Sequence, residues 1–218
     1  MRDLTKIPEP RVLQDNAVIW TQEYKAAIAV GTKPQERWRN RDITSALGEE
    51  TYGKCAYCEA FIKAVAYPHV EHIIPKSVFA DLVYSWENLT LACPVCNTNK
   101  GNYYSAADPL LHPYKDDPPL HIIFRGPMIQ ATLGDVLGER TILRLDLKRS
   151  ELLVQRLVAI EAFHGLLQRW QEASGPDKDL REMVVRDALG DDKEFTCCLR
   201  AYAESMGFIL QPTIPTNV

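Results

Sequence analysis

The sequence predicts an α+β fold. A strand–strand–helix core is stapled between two cysteine pairs, with an N-terminal helical segment, a β-hairpin and a C-terminal helical region around it. Three observations predict it. CAYC (Cys55, Cys58) and CPVC (Cys93, Cys96) bracket two short apolar runs. HIIFRG (121–126) and RTILRLDL (140–147) alternate or run β-branched, as strands do. From Lys148 onward the apolar residues recur at helical spacing.

In chain order, residues 1–50 read as helical after a proline-marked start, with Thr21–Ala29 and Pro34–Leu47 the best segments. The second carries Arg37, Arg39 and Arg41, a solvated helix face or a phosphate patch. Residues 51–104 hold every chemical motif. Residues 105–148 begin with a proline-rich loop and continue into the hairpin, whose ragged turn region contains Gly126, Pro127, Gly134 and Gly138. Residues 149–218 open on a helix, with Ser150 as N-cap and Gly175-Pro176 as its stop. Its wide apolar arc suits burial on two sides, in core alone or in core plus a partner groove. Two further helices are expected near 177–189 and 191–206.

Composition narrows the function classes. The net charge is −4 and the charged content 25%, which excludes coating nucleic acid by bulk charge; any such contact needs a local basic patch or a partner. MRDLTKIPEP has no apolar leader core, and no apolar run approaches the roughly 20 residues that span a bilayer. A cytoplasmic, membrane-free protein is expected. Its six cysteines are then thiols or metal ligands rather than disulfides.

A C-x-x-C turn points two thiolates at one ion, and two such turns complete the tetrahedron that zinc prefers. Cys55, Cys58, Cys93 and Cys96 are therefore expected to hold a structural zinc, which leaves no open position for catalysis. Cys197 and Cys198, adjacent on a helix, read as ordinary buried cysteines. Between the pairs, VEHII is a short strand ended by Pro75 and LTLA (89–92) a second one. Pro94 starts a helix carrying Cys96, Asn97 and Lys100, and Gly101 ends it. The Glu71 carboxylate and the Asn97 amide oxygen suit a hard ion such as Mg²⁺, which takes few protein groups plus substrate phosphate. His72 is then free to take a proton from water.

The order His72, Asn88, Asn97 between C-x-x-C pairs resembles the HNH nucleases with the ββα-metal fold, in the variant whose last histidine is asparagine. The resemblance implies an endonuclease in which Glu71 (usually aspartate) and Asn97 bind the catalytic Mg²⁺ or Mn²⁺. It makes His72 the general base, and has Asn88 tie the loop together and orient that histidine. CAYCE, HVEHIIPKS, YSWENLTLAC and CNTNKGN, followed by TILRLDLKRSELLVQR, are similar to a narrower group: the HNH effector subunits of Septu-type and retron-linked anti-phage systems. That implies an ABC-type, SMC-like ATPase subunit as partner, a retron reverse transcriptase with its non-coding DNA as a further one, and a nucleic-acid substrate, DNA favoured over RNA.

Lys100, one turn after Asn97, and Lys76, just past Pro75, are expected to hold phosphates, with plain surface charge as the alternative for each. His69 shares a strand face with Glu71 and reads as a packed imidazole, a phosphate contact or a third metal ligand. His112, His121 and His164 have no partners at a chemical spacing and are taken as structural. The competing class is a non-catalytic zinc module that binds nucleic acid or protein.

Overall fold

Pro10 opens the first helix, α1 (Arg11–Ala29), which starts well before the Thr21 expected from the sequence. The expected single helix over 34–47 is two pieces: a 3₁₀ turn (Arg37–Arg39) and α2 (Arg41–Glu50). The break falls at Asn40, whose side chain accepts a hydrogen bond from Asp42 N at 2.8 Å. An N-cap of that kind outcompetes helix continuation. The computed structural model describes residues 1–62 and 68–210. Positions 211–218 of the expected C-terminal region lie outside the described residues.

The core follows the expected order. Strand β1 (His69–His72) pairs antiparallel with β2 (Leu89–Ala92), with His72 opposite Leu89 and His69 opposite Ala92. Helix α3 (Pro94–Lys100) follows directly, with Pro94 at its first position. All four residues of β2 are buried. One side of the strand leans on a polar network in which Tyr114 Oη bonds both Thr90 Oγ1, at 2.8 Å, and Glu50, at 2.9 Å.

The second hairpin corrects the sequence reading. α4 (Pro118–His121) leads into β3 (Ile122–Arg125), but its partner is β4 (Met128–Ala131), not 140–147. Arg125 pairs with Met128, so Gly126-Pro127 is the whole turn. Gly126 has φ +56°, which a tight primed turn needs at its first central position. Residues 140–147 belong instead to α5 (Val136–Arg144) and its C-terminal turn. Asp135 caps this helix, accepting from Gly138 N at 2.7 Å. The inward residues Gly138, Thr141, Ile142 and Leu145 are spaced at helical intervals. The β-branched Thr141 is tolerated because its hydroxyl bonds Leu137 O and accepts from Leu111 N.

α6 (Ser150–Glu172), α7 (Gly175–Ala188) and α8 (Thr196–Ser205) close the fold. α6 buries Leu152, Ile160, Phe163 and Leu167 and leaves Val154, Leu157 and Val158 exposed. The buried apolar residues form one cluster running from Met1 to Phe208, so core and flanks share an interior.

Candidate active site and cysteine centre

Each cysteine pair is set by its own turn. At the first, Cys55 N bonds Ala60 O and Glu59 N bonds Cys55 O, curling the chain so that Cys55 and Cys58 face one point. Ala56 N reaches Leu91 O at 2.9 Å, which fastens this turn to the edge of β2. At the second, Cys93 precedes α3 and its Sγ accepts from Cys96 N at 3.4 Å. The four Sγ atoms lie within 4.8 Å of one another and all four residues are buried. Four sulfurs at about 2.3 Å from a tetrahedral zinc sit about 3.8 Å apart. Cys58 and Cys93 are 3.9 Å apart, so the donor set and its spacing fit zinc. The four thiols titrate as one set: hydrogen bonds from the other three lower Cys93, while burial raises Cys55 and those same contacts raise Cys96.

Glu71 and His72 diverge, as neighbours on a strand do. Glu71 faces α3: its Oε1 lies 2.5 Å from Lys100 Nζ, and both side chains are almost fully buried. Burial pushes the Glu71 carboxyl above its ordinary pKa, and Lys100 pulls it part of the way back. Oε1 is thus fully buried against the Lys100 ammonium. Lys100 also donates to His72 O at 3.0 Å. It was expected at the phosphate-facing surface; it is 3% exposed and turned inward.

One helical turn before Lys100, Asn97 Nδ2 lies 2.9 Å from His69 Nδ1. His69 and Glu71 thus share one face of β1, opposite Asn97 and Lys100 on α3. His69 is exposed and paired to the asparagine rather than packed. Along this strand–helix seam Glu71 is paired with Lys100 and His69 with Asn97.

His72 leaves on the other side. Its Nε2 is 3.0 Å from Val83 O. A carbonyl only accepts, so Nε2 carries the proton and the neutral ring keeps its lone pair on Nδ1. The ring stands edge-to-face with Trp38, centroids 5.1 Å apart, and Trp38 belongs to an aromatic cluster with Tyr24 and Tyr84. Burial, helped by the nearby ammonium of Lys76, lowers the His72 pKa to about 3. Lys76 lies over the Trp38 ring at 5.0 Å. Lys76 and Lys100 act on both Glu71 and His72, so the divergent side chains still share one electrostatic locus.

Asn88 spans the loop between the strands. Its Oδ1 accepts from Ile74 N at 2.7 Å, and its Nδ2 donates to Ile74 O and Leu82 O. The loop that presents Val83 O to His72 is closed by this side chain. Of the three arginines near position 40, Arg37 pairs with Glu23 and Arg39 with Glu36, which favours the solvated-face reading for both. His121 pairs with Asp135, His164 with Tyr202, and His112 Nδ1 accepts from Tyr114 N. Trp38, the Val83 carbonyl and Arg149 are site residues that sequence reasoning missed. Only Trp38 left a signal, as a lone aromatic inside the arginine run.

Residues 55–103, which carry the two antiparallel strands, the helix and the four cysteines, match the family model for HNH endonuclease. Over 118 residues the chain is 34% identical to the Septu protein PtuB of Bacillus thuringiensis, across 54% of this chain and 45% of that protein. The chain thus spans about half the length of the curated relative it matches. Among the described residues, no helix is long and apolar enough to cross a membrane.

Proposed function

We propose that this chain is a metal-dependent endonuclease subunit that hydrolyses nucleic-acid phosphodiesters, DNA before RNA, as the effector of an anti-phage complex with an ABC-type ATPase. The observation that carries the reading is the fixed tautomer of His72: a buried neutral imidazole, tied through Nε2 to Val83 O, at the end of the strand that also presents Glu71.

Nδ1 is the base that would take the proton from water. In the resting protein that base is weak, because burial disfavours the imidazolium. A phosphodiester anion beside it would raise its pKa, since an opposite charge stabilises the protonated ring. Lys76, exposed enough to reach solvent and braced on Trp38, is placed to hold that phosphate. Lys100 is the second candidate, at the cost of its Glu71 pairing. Asn88 keeps the loop closed so that His72 holds its orientation. Glu71 and Asn97, with His69 beside them, would hold Mg²⁺ or Mn²⁺, which when bound supplies charge stabilisation to the phosphate and the departing 3′-oxygen. The partner carries the targeting: a chain of net charge −4 is suited to being delivered to its substrate. The retron reverse transcriptase and its non-coding DNA belong to the same proposal, as an alternative assembly.

The second reading, a non-catalytic zinc module, is favoured by one observation: Lys100 already neutralises Glu71. A nicking assay separates the two. Plasmid DNA and a matched RNA are incubated with Mg²⁺ or Mn²⁺ and with the subunit alone or co-purified with its ATPase. The nuclease reading expects nicking by the complex, and a loss of about 10²-fold or more in His72→Ala with zinc content and fold retained. Full activity in His72→Ala, or silence of the wild-type complex on both substrates, overturns it.

A further inference from the structure

Arg149 lies outside the HNH-matched residues and immediately precedes α6. Its guanidinium reaches back to the second cysteine pair. Nη1 and Nη2 lie 3.6 and 3.7 Å from Cys96 Sγ, and Nη2 is also 3.9 Å from Cys93 Sγ. The same Nη1 donates to Asp146 O at 3.1 Å, and Arg149 N bonds that carbonyl as well. Asp146 has φ +50°, so the chain turns sharply there to bring Arg149 onto the thiolates.

We propose that Arg149 is a working part of the four-cysteine centre, neutralising thiolate charge at Cys93 and Cys96 and fastening the start of α6 to the bound zinc. Zinc on four thiolates carries a formal charge of −2, and these cysteines are 0–8% exposed. Buried charge needs a counter-charge or hydrogen bonds. The backbone supplies one such bond, from Cys96 N to Cys93 Sγ. Among the described residues, Arg149 is the cation within hydrogen-bonding distance of a thiol of this centre. A guanidinium suits the task better than an ammonium: it stays charged under all ordinary conditions, sheds water easily, and its planar fork serves two sulfurs at once. Because the same group grips the Asp146 carbonyl, the metal centre and the C-terminal helices are mechanically joined. Zinc loss would reprotonate the thiols, remove the anions that Arg149 holds, and loosen the N-terminal turn of α6.

The test uses the full chain loaded with zinc, and does not depend on nuclease activity. Zinc transfer to a chromogenic chelator is followed for wild type, Arg149→Gln and Arg149→Lys. Alkylation of each cysteine by iodoacetamide is followed by peptide mass spectrometry. Arg149→Gln should bind zinc 10- to 100-fold more weakly, with Cys93 and Cys96 alkylated faster while Cys55 changes less. Arg149→Lys should fall between, having the charge without the fork. Wild-type affinity and wild-type alkylation in folded Arg149→Gln would overturn the proposal, leaving Arg149 as part of the turn before α6 only. Should Arg149→Gln fail to fold, Arg149→Lys decides: intermediate affinity supports the proposal and wild-type affinity overturns it.

Discussion

Two hairpins of four-residue strands hold this molecule together by different means. β3–β4 closes through Gly126-Pro127 alone. β1–β2 must close across residues 73–88, and that longer loop adds about 2 kcal/mol of closure entropy. The longer connection is what gives room for Val83 O, Lys76 and the approach to His72. Its cost is met by staples that the short hairpin lacks: the cysteine centre at one end, Asn88 across the loop, and Lys100 bridging Glu71 and His72 O. A tight turn makes a hairpin; a stapled loop makes a hairpin with a site in it.

The comparison breaks most sharply at the metal. Chelating zinc, or replacing Cys93 with Ser, should unfold β1–β2–α3, since a structural zinc supplies folding free energy on the order of 10 kcal/mol in small domains. Hydrogen exchange reads the two hairpins separately. Amides of Glu71 and Thr90, which face each other across β1–β2, should lose protection on chelation before those of Ile123 and Gln130. Simultaneous loss would mean that the shared core, not the metal, holds both.

Asn88→Ala comes next. It leaves Ile74 N, Ile74 O and Leu82 O without their partner, at roughly 1 kcal/mol for each bond lost, or about 3 kcal/mol in all. The urea midpoint should fall accordingly. Asn88→Asp, which keeps the acceptor for Ile74 N and loses both donors, should recover only part of it. Equal stability of Asn88→Ala and wild type would remove the loop clamp from the account.

These staples were legible in the sequence to different degrees. The β1–β2–α3 core could be read almost to the residue, because Pro75, Pro94 and Gly101 punctuate it and the cysteine spacing states its closure. The second hairpin could be read only on one strand. Thr141, Ile142 and Leu143 look like a strand, and the signal against it, burial of 138, 141, 142 and 145 on one face, competes with β-branching in so short a segment. The break at Asn40 was misread for a related reason: a local capping bond decided against a continuous helix. Trp38 against His72 and Arg149 against Cys96 are long-range contacts. No periodicity reports them, so the positions of Glu71 and His72 were legible and their surroundings were not.

Acid should separate the hairpins further. His72 has a folded pKa of about 3 against an ordinary 6.5, so the unfolded chain takes up the proton first as pH falls. The support from keeping it neutral is complete above the ordinary value and is lost progressively down to about 3. Between neutrality and pH 5 this amounts to about 2 kcal/mol. His112, lowered by burial to about 4, acts in the same direction. In the second hairpin's neighbourhood the titrating group is Asp135, held below its ordinary value by the Gly138 N–H. Its support is present above 3.8 and is lost only below it. Urea midpoints across this range should fall for wild type and flatten in His72→Gln. An unchanged slope would place the acid sensitivity elsewhere.

The smallest effect tests the claim that the two hairpins differ in how deeply they are enclosed. Every residue of β2 is buried, Leu91 to 3% exposure, whereas on β4 Met128 is 47% exposed beside a buried Ile129. Met128 sits next to the turn, where its side chain contributes little area to the core. Met128→Ala should change stability by no more than about 0.5 kcal/mol. The same truncation at Leu91 should cost about 2–5 kcal/mol through lost burial and a residual cavity. A cost at Met128 approaching that of Leu91, measured by the same urea midpoints, would show that the outer face of the second hairpin is covered in solution. The β3–β4 unit would then be a contact surface rather than a self-sufficient hairpin.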